Sequence, residues 1–424
     1  MELYVHIPFC ARKCGYCDFL SMPAGDGEQR RYMEALLEEV RQVSRVTARP
    51  AEAGGTPALP PGGGPSVLPP ESGQKRIRPV ESAQERDEPR VTSVFIGGGT
   101  PSLPEPGWIE ALLAEIRAGF SLEEEAEITM EANPGTLSAK KLRRYRTAGI
   151  NRLSMGVQSM DDRELERIGR IHTREEFLSN FYLAREAGFS NINVDLMSAL
   201  PGQTTASWEM TLRKTAELGP EHISAYSLIL EEGTPFWELY GSRPWLLPSE
   251  EEDREMYHRT KAVLEGAGYE RYEISNYARP GRECIHNIGY WTRVPYLGLG
   301  LGAASFYGGR RFSNTREMAR YLAAAKTGDM PDRIRENAEL LTQKDAMEEF
   351  MFLGLRLTRG IREEDFRQAF GRKIEEIYGA VLDRFTKEGL LLRTDAGWRL
   401  SEWGLDVSNT VLAEFLLEDG QENG

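Results

Sequence analysis

Short apolar segments alternate with amphipathic segments of helical periodicity over the first half of this 424-residue chain. The predicted strands cover residues 3–9, 93–97, 127–132, 152–157, 191–197 and 222–228. The predicted helices cover residues 32–46, 108–119, 138–149, 173–188 and 206–219, and several end at a glycine. Because buried parallel strands are apolar and need helical crossovers, this alternation predicts a parallel α/β array.

Polar residues follow the predicted strands at their carboxyl ends. In chain order these are a cysteine loop after residue 9, the glycine-rich segment 97–101, Glu131 and Asn133, Gln158 and Ser159, Asp195, and Tyr226. The carboxyl ends of parallel strands in a barrel converge on one mouth, where ligands bind. Strand termination explains any one of these residues, but the whole set predicts a binding site.

Three of the four cysteines, Cys10, Cys14 and Cys17, lie within eight residues directly after the first predicted strand. Clustered thiolates bind soft metal centres, and iron–sulfur clusters are held by such ligands. Three ligands leave one iron of a four-iron cluster open to a small molecule. Structural zinc is the alternative, but the residues that could complete its four ligands have no familiar finger spacing.

The motif Cys-x3-Cys-x2-Cys, with the aromatic Tyr16, resembles the signature of the radical S-adenosylmethionine (radical-SAM) superfamily. The resemblance implies an α/β fold, a (β/α)6 partial TIM barrel. It also implies a [4Fe–4S] cluster on the three cysteines with S-adenosylmethionine on the open iron. An electron passed through the cluster would then cleave S-adenosylmethionine to methionine and a 5′-deoxyadenosyl radical. The segment 97–101 resembles the superfamily's glycine segment, which implies that Gly98, Gly99 and Thr100 receive the methionine amino group.

The segments around the later strand ends resemble a narrower family, oxygen-independent coproporphyrinogen III oxidase and its relatives. The resemblance covers most of residues 1–310 outside an insertion, and the C-terminal region fits it too. It implies that five further residues contact S-adenosylmethionine: Tyr4, Glu131, Gln158, Arg170 and Asp195. A hydrogen-bonded strand end is the alternative for each of them.

Two departures separate this chain from the oxidase itself. Phe19 stands where the oxidase has a fourth cysteine, and the motif begins at residue 4 without the oxidase's N-terminal extension. Both features match the shorter branch, HemW, a heme chaperone that binds heme and hands it to acceptors. The alternatives left open are radical decarboxylation of coproporphyrinogen III to protoporphyrinogen IX and a radical enzyme with another substrate. Whether the protein is an enzyme, here a coproporphyrinogen dehydrogenase-like oxidoreductase, is therefore also open.

A second motif, His-Asn-x2-Tyr-Trp at residues 286–291, follows Cys284 and resembles a signature of the same branch. Cysteine and histidine are heme-iron ligands, and flat aromatic side chains suit a macrocycle. Cys284 and His286 are therefore candidate heme ligands. The alternative is a structural histidine that caps a turn beside packed aromatics.

The remaining segments predict the domain organisation. Residues 1–315 form the barrel, in which 231–315 extend the sheet edge and close one side of the mouth. Residues 47–90, rich in Pro and Gly, form a disordered insertion. Residues 316–336 are predicted as a linker. Residues 337–424 form a winged-helix-like module with helices at 346–357, 362–370 and 374–388 and a hairpin at 390–401.

Charge and composition restrict the partners. A net charge of −14 argues against a nucleic-acid partner, and no segment has the apolar length of a membrane span. Without a recognisable signal peptide, and with thiols that need a reducing compartment, the protein is expected in the cytoplasm. The expected partners are heme or a porphyrin, an unidentified heme acceptor, and an electron donor such as flavodoxin or ferredoxin. Arg12 and Lys13 near the cluster serve solvation or docking of that donor.

Overall fold

The structure, a computed structural model, describes residues 1–47 and 90–417, so the predicted insertion 47–90 lies almost entirely outside the described residues. The strands are β1 (Glu2–Ile7), β2 (Val91–Gly98), β3 (Leu122–Ala132), β4 (Arg152–Gln158), β5 (Ile192–Ser198), β6 (His222–Ser227), β7 (Glu270–Arg271), β8 (Asn276–Ala278), β9 (Tyr296–Leu299), β10 (Ala304–Tyr307), β11 (Arg310–Asn314), β12 (Arg335–Leu340), β13 (Ile361–Arg362), β14 (Leu391–Arg393) and β15 (Gly397–Leu400). The helices are α1 (Asp26–Thr47), α2 (Pro106–Gly119), α3 (Ala139–Ala148), α4 (Asp162–Arg167), α5 (Arg174–Glu186), α6 (Thr205–Glu217), α7 (Pro235–Tyr240), α8 (Glu250–Gly266), α9 (Ile285–Trp291), α10 (Met318–Ala324), α11 (Met330–Ile334), α12 (Gln343–Gly354), α13 (Glu363–Phe370), α14 (Ile374–Lys387), α15 (Glu402–Asp406) and α16 (Ser408–Ala413).

Strands β1 to β6 are parallel and lie side by side in chain order, which confirms the predicted α/β barrel scaffold. Side chains alternate between the two faces of each strand. In β1, Leu3, Val5 and Ile7 are fully buried in the main hydrophobic core. The alternate residues of these strands are largely polar and lie on the opposite face of the sheet. The strand pattern therefore separates an apolar outer layer under the helices from a polar inner surface.

The sheet extends at both edges, to twelve strands in all among the described residues. On one side β9 lies parallel to β1, followed by the antiparallel strands β10, β11 and β12. On the other side β8 and β7 add antiparallel to β6. The sequence predicted an extension of the sheet edge. The pairing of β1 with β9 also brings the first strand of the chain into contact with a strand almost 300 residues later.

The stretch 316–336, predicted as a linker, contains α10, α11 and the beginning of β12. Its apolar side chains Tyr321, Met330 and Ile334 are buried in the main core, next to α1. Strand β12 pairs with β11 up to Leu340, so the sheet continues well past residue 315. Tertiary packing orders this segment because its apolar residues pack against α1.

The C-terminal module contains the predicted helices as α12, α13 and α14 and the predicted hairpin as β14 and β15. β13 completes a three-stranded sheet in the order β13-β15-β14. A second hydrophobic core holds this module together. Polar contacts join it to the barrel: Glu349 accepts hydrogen bonds from Arg293 (3.0 Å) and Arg311 (2.7 Å), and Arg271 donates to Glu402 at 2.7 Å. None of the helices in the described part of the chain has the length and apolar character to cross a membrane.

A buried carboxyl group, Glu39, fastens α1 to the β9–β11 edge. It accepts hydrogen bonds from the Gly300 N–H at 2.8 Å, from Asn314 Nδ2 at 2.7 Å and from the Tyr321 hydroxyl at 2.5 Å. Burial raises the pKa of Glu39 to about 7, although these hydrogen bonds oppose the shift. The carboxyl group of Glu39 therefore has a full set of hydrogen-bond partners, and its protonation changes near neutral pH.

We expect the contribution of Glu39 to the free energy of unfolding of the unliganded protein to fall as pH rises from acidic values to about 7. The pKa of Glu39 is higher in the folded chain than in the unfolded chain, so its contribution is complete below about pH 4.5 and is lost as pH passes about 7. The loss from this group is at most roughly 3 kcal/mol. Urea unfolding between about pH 5 and about pH 8 measures it, and Glu39→Gln should flatten the slope. Equal slopes in the two proteins would contradict the assignment.

Candidate active site

A cavity of about 430 Å³ opens at the carboxyl ends of the parallel strands. This volume lies within the usual range for small-molecule sites. The predicted residues that line it are Cys10, Cys14, Cys17, Gly98, Gly99, Glu131, Gln158, Arg170 and Asp195. Thr100 lines a smaller adjoining cavity together with Cys14 and Arg170, whereas Tyr4 lines neither. The fold thus brings most of the predicted site residues to one mouth.

The cysteine loop lies across this mouth with three partly exposed free thiols. Backbone hydrogen bonds between Cys10 N–H and Met22 O (3.1 Å) and between Met22 N–H and Pro8 O (2.8 Å) join the two ends of the loop. Within the described ranges, no three His, Cys, Asp or Glu side chains are placed to share a single metal ion. In a four-iron cluster each thiolate binds a different iron, so its ligands need not meet at one point. The donor set therefore fits a cluster.

Arg170 connects the cysteine loop to the strand ends. Its Nη1 donates to Cys14 Sγ at 3.7 Å, and its Nη2 donates to Asn133 Oδ1 at 2.8 Å and to the Gly156 carbonyl. Its Nε is buried without a hydrogen-bond partner in the described structure. Arg170 therefore places a positive charge beside the cysteine loop and holds that loop against the ends of β3 and β4.

The sequence pattern placed Asn133 at a strand end but assigned it no role. Its Nδ2 donates to Thr100 Oγ1 at 2.7 Å, while its Oδ1 accepts from Arg170. Thr100 Oγ1 in turn lies 3.4 Å from Cys10 Sγ. Asn133 therefore joins two of the predicted residues, and its position directly after a buried strand was the signal that could have identified it.

The glycine segment runs very close to the cysteine loop. A Cβ atom on Gly99 would lie 2.6 Å from the carbonyl oxygen of Phe9, which leaves no room for a side chain. Gly98 has φ +110°, which favours glycine, and its N–H donates to Glu131 Oε2 at 3.0 Å. The glycines are thus required for this close backbone approach.

Two buried carboxyl groups, Glu131 and Asp195, border the cavity. Burial and, to a lesser degree, the charge of Asp195 together raise the pKa of Glu131 to about 8, and the Gly98 N–H opposes the shift. Asp195 accepts hydrogen bonds from Asn193 Nδ2 at 2.7 Å and Ser154 Oγ at 3.1 Å. Burial also raises the pKa of Asp195, against these hydrogen bonds. Both groups are suited to accept hydrogen bonds from ligand hydroxyls.

The other two strand-end residues have protein partners. Gln158 adopts the uncommon φ of 73° and accepts a hydrogen bond from the Tyr226 hydroxyl at 3.0 Å. The hydroxyl of Tyr4 lies 3.0 Å from Nδ1 of His6, and Nε2 of His6 donates to the Leu20 carbonyl at 2.8 Å. Because Nε2 carries the proton, Tyr4 is the donor to Nδ1. His6 therefore links Tyr4 to the end of the cysteine loop.

The structure does not bring Cys284 and His286 to the cavity. Cys284 is 0% exposed and His286 is 1% exposed, at the beginning of α9. The thiol of Cys284 donates to Glu127 Oε1 at 3.4 Å, and burial raises its pKa. The motif itself does not indicate this burial, because it combines polar side chains with aromatic ones and has no apolar periodicity.

His286 is held by hydrogen bonds on both ring nitrogens. Nδ1 lies 2.8 Å from Ser93 Oγ, Nε2 lies 3.1 Å from the Tyr290 hydroxyl, and the ring stacks on Phe95 with centroids 5.2 Å apart. Burial lowers the pKa of His286 to about 3, so the ring is neutral near pH 7. The heme-ligand assignment stays a prediction, and binding through these atoms requires α9 to move.

Comparison with known proteins places this site in a family. The radical SAM superfamily matches residues 76–215 and the HemN C-terminal domain matches residues 341–407. The heme chaperone HemW of Bacillus subtilis (strain 168) is 33% identical over 416 residues, which cover 98% of this chain and 99% of the relative. The chain belongs to the HemW family of the radical-SAM superfamily.

Other HemW relatives cover the chain equally well. HemW of Escherichia coli (strain K12) is 34% identical over 99% of this chain and 98% of its own length. The solved coproporphyrinogen III oxidase (HemN) of Escherichia coli has a TM-score of 0.76 and covers 98% of this chain and 89% of its own. At 22% identity, that structure shows the shared fold alone. Membership of the superfamily implies a [4Fe–4S] cluster and S-adenosylmethionine, as the sequence predicted.

Proposed function

We propose that this protein is a heme chaperone, which binds heme and transfers it to acceptor proteins. The observation that carries the proposal is the identity of 32–34% with proteins named heme chaperone HemW, over nearly the whole chain in four of them. Phe19, at the position of the oxidase's fourth cysteine, lines the cavity with 60% of its surface exposed. An apolar ring there supports a role other than that of the decarboxylating oxidase.

Cys10, Cys14 and Cys17 are proposed to hold the cluster. The proposed contacts of S-adenosylmethionine are Tyr4, Gly98, Gly99, Thr100, Glu131, Gln158, Arg170 and Asp195. When bound, these two groups supply one-electron chemistry. The chain contributes carboxyl acceptors for hydroxyl groups, a glycine backbone that a ligand can approach closely, and a guanidinium that offsets negative charge. The shared cavity and the unpaired Nε of Arg170 support this assignment.

Docking of an electron donor such as flavodoxin or ferredoxin is proposed at Arg12 and Lys13. Both side chains are exposed and line the cavity beside the cysteine loop. Cationic side chains at a rim speed association with an acidic protein even when the net charge of the chain is −14. The four free thiols are in keeping with a cytoplasmic location, where thiols stay reduced.

An anaerobic assay tests the function. Cluster-reconstituted protein is titrated with heme, followed by the Soret band, and is then mixed with apomyoglobin as a heme trap. We expect saturable heme uptake followed by transfer to the trap. In parallel, reduced protein is incubated with S-adenosylmethionine and coproporphyrinogen III. Formation of protoporphyrinogen at enzymatic rates would replace the chaperone assignment by the oxidase, and absence of heme uptake would overturn it.

The same titration examines the heme ligands. Cys284 and His286 remain the proposed ligands on the chemistry of their side chains. If they bind the iron, His286→Ala and Cys284→Ser should each alter the Soret band of the complex. An unchanged heme spectrum in both variants would remove this site, and heme uptake itself would still stand as evidence for the chaperone.

A further inference from the structure

A continuous line of hydrogen bonds runs through the polar interior of the barrel, from the cavity to Cys284, the residue directly before α9. Asp195 Oδ1 accepts from Asn193 Nδ2 at 2.7 Å, and Asn193 Oδ1 lies 2.6 Å from His222 Nδ1. His222 Nε2 lies 2.8 Å from the Tyr272 hydroxyl, which accepts from the Cys284 N–H at 3.4 Å. The line joins β5 and β6 to the segments on either side of β8.

The donors and acceptors along this line have one consistent direction. The amide nitrogen of Asn193 faces Asp195, so its amide oxygen faces His222 and must accept a hydrogen from Nδ1. Burial lowers the pKa of His222 well below its usual value, so the ring is neutral and Nε2 is an acceptor. Tyr272 therefore donates to His222 while it accepts from Cys284. Every group points its donor toward Asp195.

Burial makes this line costly to break at any one point. His222 and Cys284 are fully buried, and Asn193 is nearly so. A buried donor or acceptor that loses its partner costs about 1–3 kcal/mol, and bonds in series polarise one another. A displacement of Asp195 is therefore opposed by the whole line, up to the start of α9. Asp195 is the member of the line that borders the cavity.

We infer that His222 and Tyr272 are positioning residues, which orient Asp195 for S-adenosylmethionine and link that site to the Cys284–α9 segment. The inference rests on the proposed S-adenosylmethionine site. A ligand hydroxyl that donates to Asp195 fixes the carboxylate in one orientation. The hydrogen-bonded line then restricts Tyr272 and the backbone of Cys284 in the same way. Ligand binding at the mouth thereby makes local unfolding or displacement of residues 284–291 less frequent. This segment carries the proposed heme ligands.

Tyr272→Phe is the variant that isolates this link, since it removes the hydroxyl and keeps the ring. The matched control is Tyr269→Phe: Tyr269 is a buried tyrosine close by in the chain, and its hydroxyl donates to the Pro220 carbonyl at 2.7 Å, outside the line. Cluster-reconstituted proteins are compared by equilibrium dialysis with S-adenosylmethionine. Hydrogen exchange of residues 284–291 is followed by mass spectrometry with and without that ligand.

In the wild type and in Tyr269→Phe, S-adenosylmethionine should slow exchange in residues 284–291. Tyr272→Phe should weaken S-adenosylmethionine binding up to about tenfold, as loss of one buried hydrogen bond allows, and should abolish the ligand-dependent slowing. A merely structural tyrosine would raise basal exchange and leave the response to ligand intact. If the two variants behave alike, the inference is overturned while the proposed site stands.

Two further results keep the inference and the proposed function apart. A wild-type protein that binds no S-adenosylmethionine would overturn the proposed site itself. Should Tyr272→Phe fail to fold, His222→Gln provides the second test, because a glutamine amide retains one donor and one acceptor in the line. Its response to ligand should be reduced but present, and a wild-type response in it would contradict the role of His222.

Discussion

Replacing Cys14 by serine will leave the purified protein without its iron–sulfur cluster. The proposed site has three thiolate ligands and no fourth cysteine in the cavity, so the loss of one ligand cannot be replaced from within the site. Serine keeps the size of the side chain but remains a neutral hydroxyl near pH 7. It also leaves Arg170 without the sulfur that its Nη1 contacts.

Cys284→Ser is the matched control, because Cys284 is the one cysteine of the chain outside the three-cysteine motif and is buried away from the cavity. Both variants are reconstituted anaerobically with iron and sulfide. Bound iron, acid-labile sulfide and the electron paramagnetic resonance signal after dithionite reduction are then measured. We expect near-zero values for Cys14→Ser and wild-type values for Cys284→Ser. A cluster that survives the first substitution, or is lost in the second, would refute the ligand set.

Glu131→Gln will reduce the affinity for S-adenosylmethionine by roughly 10- to 100-fold. The carboxyl group borders the cavity and also accepts the Gly98 N–H at 3.0 Å, so it orients the glycine segment and offers acceptors to the ligand. Loss of one buried hydrogen-bond acceptor costs about 1–3 kcal/mol, which corresponds to this range of affinity. Glutamine preserves the shape but replaces one acceptor oxygen by a donor.

Glu39→Gln is the control for this prediction, since Glu39 is also a buried carboxyl group that accepts a glycine N–H, from Gly300 at 2.8 Å. It does not border the cavity. Equilibrium dialysis of the cluster-loaded proteins gives the dissociation constants, and iron content shows that the cluster is retained. Equal affinities in the two variants would show that Glu131 has no part in binding.

The local elements of the barrel were predictable because their signals are local. Each strand of β1 to β6 contains a short apolar segment, and the predicted helices between them have amphipathic patterns that in several cases end at a glycine. The cavity at the strand ends follows from the same information, because parallel strands bring their carboxyl ends together. Glu131 and Asp195 are at the cavity for this reason, although the strand pattern alone assigned them no ligand.

The stretch 316–336, predicted as a linker, is an example of structure that local sequence signals do not predict. Its residues lack a long periodic pattern, yet Tyr321 and Met330 are buried against other parts of the chain. The free energy gained by such burial depends on a packing surface formed by residues far away in sequence. The same limit applies to β9, whose pairing with β1 joins Leu3 to Leu297.

The parallel strand–helix scaffold and the clustered thiols could be predicted without a structure, since spacing and side-chain chemistry are properties of neighbouring residues. In contrast, the burial of Cys284 and His286 at the beginning of α9, and the link that Asn133 makes between Thr100 and Arg170, became visible in the folded chain alone. Those arrangements depend on which surfaces meet when distant segments pack. Burial and hydrogen bonding between remote residues leave no periodic trace in the chain.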